Sequence, residues 1–567
     1  MTKRADLDAV FAVHDDLIAR RGVDVWVGAE PTFTRHGATG PAWTTAVEGD
    51  DKLARALALA AALADRLPGA AVTRVVGRAD PDEPAARFAF GVRWRDDAPL
   101  TARGDRATLD DVPVAAPGVD ELGADRWLTI APDLGVLEVN TAPCATSASF
   151  AAHARDVWTA ARAAGLSATR YRENGDVADS GGGGQITLGG ATPDASPFVR
   201  YPHVLPALVR YLNNHPALSY WFASERVGSA SQGPRPDEGV RERYEELELT
   251  LERLEQRADH HRVRPDALWA ALAPLLVDAS GNARRAELNV EKLWSPHLTP
   301  HGARHGKMGV VELRAIRMPE QPEMLAALAA LLRGLVARLA IADYRAPLVD
   351  WHDELHDRYA LPAALAHDLR RVLGDLDDHG FGLPLALRRE LEAWRPPGLA
   401  CKLGDATLVV RPALEFWPLV GDVASQERAG ARAVDASTQR YELSIAGPGP
   451  DRIVVAGRWV QLRDVGEGVR ALGVRRRVYE PQPGFHPGLP ILDPLVIEWS
   501  HAGRVQTIEI HAWRPGGGAY DGLPLTADEA LLRRNERIRI LTRAGEAAAP
   551  ATWSATSPFT LDLRRAR

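Results

Sequence analysis

The sequence predicts an α+β fold: an antiparallel sheet with helices on one face, then a helical segment, then an all-β module. Three observations carry this. Through the first 320 residues, short runs alternate aliphatic and polar side chains with the period of two that a half-buried strand requires. From about Glu323 the pattern turns helical, and it stays so until Pro396-Pro397-Gly398. From Cys401 onward, short β-prone runs (Ala406–Val410, Arg440–Ile445, Arg452–Val455, Leu495–Trp499, Gln506–His511) alternate with Gly/Pro turns, as in a sandwich or barrel. The expected divisions are therefore residues 1–345, 346–398 and 399–567.

Taken in order, residues 5–20 carry an amphipathic helix pattern. Asp24–Glu30 reads as a strand closed by Pro31, which lacks the N–H that a ladder needs. An alanine-rich helix over Leu53–Leu67 and a strand at Thr73–Val76 lead into a connection rich in Pro, Asp and Arg. Trp127–Ile130 and Gly135–Asn140 form a hairpin through Pro132-Asp133. A helix over Ser149–Ala164, the glycine run Gly181–Gly184 and a strand Gln185–Leu188 follow. After a helix near His203–Asn213, the stretch Gly228–Glu238 is too rich in Gly, Ser and Pro to be regular. Arg285–Lys292 and Gly309–Pro319 read as two further two-faced strands.

The totals exclude several classes. A chain of 567 residues with 46% hydrophobic and 25% charged side chains is an ordinary globular composition. The net charge of -7 argues against nucleic acid or an anionic membrane as main partner. Two cysteines, Cys144 and Cys401, rule out a disulfide scaffold or a cysteine-rich zinc site and fit a reducing compartment. No signal peptide and no uninterrupted apolar run long enough to span a bilayer is evident, so a cytoplasmic location is expected.

The polar faces of five strands carry the chemistry. They hold Glu30; Glu138 and Asn140; Gln185 and Thr187; Glu287, Asn289 and Glu291; Glu312 and Arg314. In one sheet, these carboxylates would crowd a single face with almost no lysine among them. Clustered carboxylates repel unless cations neutralise them. Hard oxygen ligands favour Mg²⁺ or Mn²⁺, which commonly arrive with nucleotide phosphates. Arg314, Arg317, Lys292 and Arg235 are candidates for the phosphate oxygens. The alternative is a solvated face bearing cross-strand ion pairs.

Other signals are weaker. No Lys-Ser/Thr follows Gly181–Gly184, so it is no P-loop, and it reads as a flexible turn or a phosphate-covering loop. Cys144 has no His or Asp at an informative spacing and reads as a small buried hydrophobe. His352 and His356, at i and i+4, lack the zincin pattern and read as surface or capping residues.

Several segments together resemble a bacterial amidoligase family whose domain commonly follows a transglutaminase-like domain. They are Glu30-Pro-Thr-Phe, Leu137-Glu-Val-Asn, Leu188-Gly-Gly-Ala-Thr-Pro, Asn214-His-Pro-Ala-Leu-Ser-Tyr, Arg285-Ala-Glu-Leu and Glu312-Leu-Arg-Ala. Further likeness lies in His356-Asp-Arg-Tyr, Arg411-Pro-Ala-Leu-Glu-Phe-Trp and Arg514-Pro-Gly-Gly-Gly-Ala-Tyr-Asp. The resemblance implies a glutamine synthetase / glutamate–cysteine ligase-like curved antiparallel sheet. It implies Glu30 and Glu138 as metal glutamates, Glu312 as ligand of a second metal, and Arg314 as a phosphate arginine. The family reads Gly-Gly-Gly-Asn-His where this chain has Gly184-Gln185, so a weaker ligand stands at a further metal position.

The implied activity is ATP- and Mg²⁺-dependent amide formation between a carboxylate, activated as acyl phosphate, and an amine, on a peptide, a protein or a small molecule. Arg314 and Arg317 would neutralise the phosphoryl oxygens, and Glu287 or Glu291 would accept the amine proton. The transglutaminase-like domain is not in this sequence, which leaves such a protein as an expected partner in trans. A phosphotransferase on the same fold and an inactive peptide-binding subunit are the rival readings.

Overall fold

The computed structural model describes residues 4–35, 50–67, 69–76, 88–94, 126–133, 135–229, 231–258, 263–279, 281–294, 308–418, 434–479, 488–548, 551–552 and 557–565. Nine strands form one antiparallel sheet. Its main path runs Leu288–Asn289, Val311–Leu313, Gly184–Gly189, Trp26–Arg35, Val136–Asn140, Arg126–Asp133, Phe88–Trp94 and Ala71–Val76, with Leu166–Ser167 paired to the end of Trp26–Arg35. All five two-faced strands of the sequence therefore share this sheet. Alternation turns Val27, Ala29, Phe33, Leu137, Val139, Ile186 and Leu188 into the main core. Helices Ser147–Ala163 and Pro322–Ile341 pack together and cover that apolar side, with Trp158 edge-on to Phe33 at 5.1 Å.

The boundaries differ from expectation in instructive ways. The central strand does not stop at Pro31 but runs on to Arg35. Pro31 lies opposite Gly184 at the last step of that pairing, and beyond it the strand pairs with Val136–Asn140 and Leu166–Ser167 instead, so the proline interrupts no continuing ladder with Gly184–Gly189. Only Leu288–Asn289 and Val311–Leu313 remain strand in the two later segments, because a 3₁₀ turn at Ala283–Arg285 and loop contacts use the flanking backbone. The expected helix at 149 begins at Ser147, since Thr146 caps it by accepting from Ser149 N. Strand Phe88–Trp94 was not expected, and the Pro/Asp/Arg-rich connection around it lies mostly outside the described residues.

Helix Pro322–Ile341 corrects another expectation. Its 20 residues, with mean hydropathy 1.9 over the best window, are long and apolar enough to cross a membrane. Instead 89% of that window is buried inside the protein, which accounts for an apolar surface on every side. Buried Arg333 anchors its middle. Arg333 donates to Val25 O, Ser147 Oγ and Ala145 O, each at 2.7 Å, and to Asp15. The same Asp15 accepts from Ser147 N and Ala148 N at 2.8 and 2.9 Å, satisfying the first turn of the neighbouring helix.

His14 lies beside this network, fully buried, and burial together with Arg333 pushes its pKa from 6.5 down to about 4. The unfolded chain therefore binds more protons than the folded one between those values. Stability rises with pH across that window and is lost as the pH falls through it. The expected result is a urea midpoint that drops between pH 6.5 and 4. His14→Gln, which cannot be protonated, should remove part of that slope.

From Leu399 on, two six-stranded sheets build the β module. The longest pairing of the first is Thr438–Ala446 with Val469–Arg477, and in the second Arg504–Ile510 pairs along its whole length with Leu495–His501 on one side and Ile538–Ala544 on the other. Between the sheets lie Leu408, Leu443, Leu472, Ile497 and Trp499. A parallel pair, Arg226–Val227 with Glu415–Phe416, ties the module back to the first part of the chain.

Candidate active site

The strand registers place the polar residues in rows across the large sheet. Glu30 stands opposite Gln185, Glu312 stands between Thr187 and Asn289, and Thr32 stands opposite Glu138. Period-two alternation, read from each strand alone, is sufficient for this because antiparallel pairing keeps like faces together. Glu30, Glu138 and Glu312 thus occupy one face, with Arg314 beside Glu312.

Electrostatics show how crowded that face is. Lys292 Nζ bonds Glu30 Oε1 and lies 3.0 Å from Glu312 Oε2, while Arg314 Nη1 bonds Glu312 Oε1. Burial, then repulsion from Glu312, raises the Glu30 pKa against the pull of Lys292. Burial and Glu30 push Glu138 up to about 8, although Asn140 Nδ2 donates to it at 2.9 Å. Burial works against the Lys292 ammonium, but Glu30 and Glu312 outweigh it and hold its pKa above the ordinary value. Three carboxyl groups thus crowd this face against one ammonium and one guanidinium, and crowding and burial push two of them toward the neutral form.

The glycine run closes one end of the face. Thr32 Oγ1 donates to Gly183 O at 2.6 Å, and a Cβ on Gly182 would lie 2.8 Å from Thr32 Cγ2. With Gly183 at φ +89, the loop can lie this close only without side chains. Gln185 Nε2 donates to Gly182 O at 3.2 Å, and its Oε1 is buried with no hydrogen-bond partner.

Among the described residues, no three His, Cys, Asp or Glu side chains close around one metal position. Glu30, Glu138 and Glu312 share a face without converging, and Lys292 sits between two of them. The donor set nevertheless suits a hard divalent cation: every donor is an oxygen, Glu30 and Glu138 have raised pKa values that a bound cation would lower, and Gln185 Oε1 lacks a partner.

Four expected site residues are placed differently. Lys292 neutralises carboxylates rather than standing free for a phosphate. Arg235 is buried at the end of helix Val204–Asn214, donating to Leu212 O, Asn213 O and Ser219 Oγ at 3.0, 2.9 and 2.9 Å and pairing with Asp237. It satisfies terminal helix carbonyls, the role that burial beside a helix C-terminus imposes on a guanidinium. Glu291 is a surface residue, 3.7 Å from Arg284. Glu287 precedes its strand and turns away from the face to accept from Ser219 Oγ; burial, opposed by Arg235, raises it to about 7.

Arg317 reaches an adjoining cleft and donates to Trp394 O. Also in that cleft are Arg170, Arg226 and Asp179, none of which the sequence singled out, because each lies on a two- or three-residue strand too short for a periodic signal. Cys144 is buried, and His352 and His356 pair with Asp350 and Glu238 at 2.9 and 3.2 Å.

A family profile described as "Putative amidoligase enzyme" matches residues 3–111 and 116–564. The chain belongs to this amidoligase family. No curated protein matches it. Among solved structures, a chain titled "GmaS/ADP complex-Conformation 1" is similar at 13% identity and a TM-score of 0.32, over 68% of this chain and 72% of that one. Within the amidoligase chain, the family match spans the large sheet, the helical segment and the β module alike.

Proposed function

We propose that this amidoligase-family chain joins a carboxylate to an amine at the expense of ATP. The observation that supports this reading is the single sheet face on which Glu30, Glu138 and Glu312 stand with Arg314 and Lys292. A divalent cation held by those carboxylates and Gln185 Oε1 would neutralise phosphate oxygens and orient the triphosphate. Arg314, at the border of that face, binds an oxygen of the transferring phosphoryl group. A substrate carboxylate oxygen attacks the γ-phosphorus, the bond to the bridging oxygen breaks, and ADP leaves the acyl phosphate. The amine then attacks the acyl carbon, the carbon–oxygen bond to phosphate breaks, and one amine proton is released.

Hydroxylamine trapping tests the reaction. Incubation with Mg²⁺-ATP, hydroxylamine and a panel of acidic amino acids and peptides is expected to yield a hydroxamate. A phosphorylated hydroxyl product with no hydroxamate would point to a phosphotransferase instead. A second test concerns the metal. Gln185→His places an imidazole opposite Glu30 and is expected to tighten Mn²⁺ binding in calorimetry, because imidazole is the better ligand. Unchanged affinity would remove Gln185 from the ligand set.

A further inference from the structure

Next to the carboxylate face, a cleft of about 180 Å³ opens between the hairpin Thr169–Tyr171/Val177–Asp179 and the segment Arg314–Arg317. Five arginines line it against two acids, Asp179 and Glu225. Arg172 is bound to Glu225 at 2.9 Å, and Arg314 to Glu312. Arg170, Arg226 and Arg317 have no ion-pair partner among the described residues. Arg226 lies 3.8 Å from the centre of the Trp417 ring, and Arg317 Nε is buried without a partner. Burial, then Arg172, push Arg226 down to about 10 against the pull of Glu225 and Asp179.

We propose that this cleft binds an oxyanion, and that the oxyanion is a second carboxylate on the acid substrate, distinct from the one that reacts. The inference rests on the ligase reading above for the identity of that substrate. Planar guanidinium forks in surplus, partly shielded from water, match a carboxylate or a phosphate. Size speaks against a whole nucleotide, and the ligase reading, which needs its acid substrate held beside the carboxylate face, favours the carboxylate. The cleft is smaller than the roughly 300 Å³ at which small-molecule sites usually begin, so it accepts a side-chain-sized group rather than a nucleotide. Arg314 and Arg317 are three residues apart, so their Cα atoms lie within about 10 Å of each other and one substrate can reach both the carboxylate face and the cleft. Acidic amino acids and acidic peptides are the class that meets this.

The β module holds one wall of the cleft. The turn between the hairpin arms is gripped from more than 330 residues away in sequence: Arg533 Nη1 donates to Glu173 O at 2.7 Å and Asn174 Nδ2 to Ala512 O at 3.0 Å. Arg534 bonds Gly175 O, and Arg537 pairs with Asp176. A Cβ on Gly175, at φ +86, would lie 2.3 Å from Ala530 O, so turn and module are in direct contact. The module is thereby a positioning element for the substrate wall.

The test is equilibrium binding to the full chain by anisotropy and calorimetry, with a fluorescein-labelled tetraglutamate peptide and, separately, Mg²⁺ with a non-hydrolysable ATP analogue. Arg170→Gln/Arg226→Gln is expected to weaken the peptide about tenfold or more while leaving the nucleotide within about twofold. Arg537→Gln should weaken the peptide in the same direction by loosening the wall. Arg170 is exposed, so Arg170→Gln alone reports on the cleft should the double variant misfold. Wild-type protein that binds no peptide, or a cleft variant that binds it normally, overturns the proposal. Loss of the nucleotide with the peptide unaffected also overturns it, by assigning the cleft to phosphate. Glu312→Gln is read only on the nucleotide: normal nucleotide binding there sinks the ligase reading, while the peptide results still decide the cleft.

Discussion

Glu312→Gln is expected to abolish Mg²⁺-dependent ATP turnover while the chain stays folded. Glu312 is almost wholly buried and shares its carboxylate between Lys292 and Arg314. The amide keeps the shape but removes a negative donor, and with it the charge that draws a cation to this row of the sheet. The fold should tolerate the change, because Lys292 keeps Glu30 and the repulsion of Glu312 on Glu30 disappears. Arg314→Lys keeps the charge and loses the planar fork. Its loss should fall on the chemical step, by about 3–4 kcal/mol or a few hundredfold, as for one donor to a transition-state oxyanion. The measurement is ADP release with hydroxylamine present, alongside a urea unfolding curve for each variant. Turnover within about twofold of wild type in both variants would reduce the row to structural ion pairs, whose replacement changes stability alone.

The second large effect is on stability. Arg333→Met is expected to cost about 3–5 kcal/mol, because it leaves Asp15 buried with its main counter-charge gone. It also strands the Val25 and Ala145 carbonyls that Arg333 now satisfies. Asp15→Asn should cost less, about 1–3 kcal/mol, since its remaining oxygen can still accept from the first turn of helix Ser147–Ala163. The two positions touch, so the double variant should cost clearly less than the sum of the singles. Tryptophan fluorescence through urea unfolding measures all three. A loss under about 1 kcal/mol for Arg333→Met would mean that the helix is held by its apolar contacts alone.

What the sequence by itself determined was whatever depends on local periodicity. Alternation gave each strand one polar face, and once the strands share one antiparallel sheet Glu30, Glu138, Gln185 and Glu312 fall on the same side. The change to short strands and turns after residue 398 was legible for the same reason. Tertiary structure alone decided which charges meet. Arg235 and Lys292 are both cations near acids in the sequence, yet one ends helix Val204–Asn214 and the other lies between two carboxylates 262 residues and 20 residues away. Pro31 stops a strand by local rules but not here, where its pairing with Gly184–Gly189 ends and other strands take over beyond it. The arginine cleft left no trace in the pattern, since its walls are short strands brought together by a hairpin and a module from opposite ends of the chain. Side-chain periodicity is a property of neighbouring residues, whereas the pairing of buried charges is set by desolvation and packing across the whole fold.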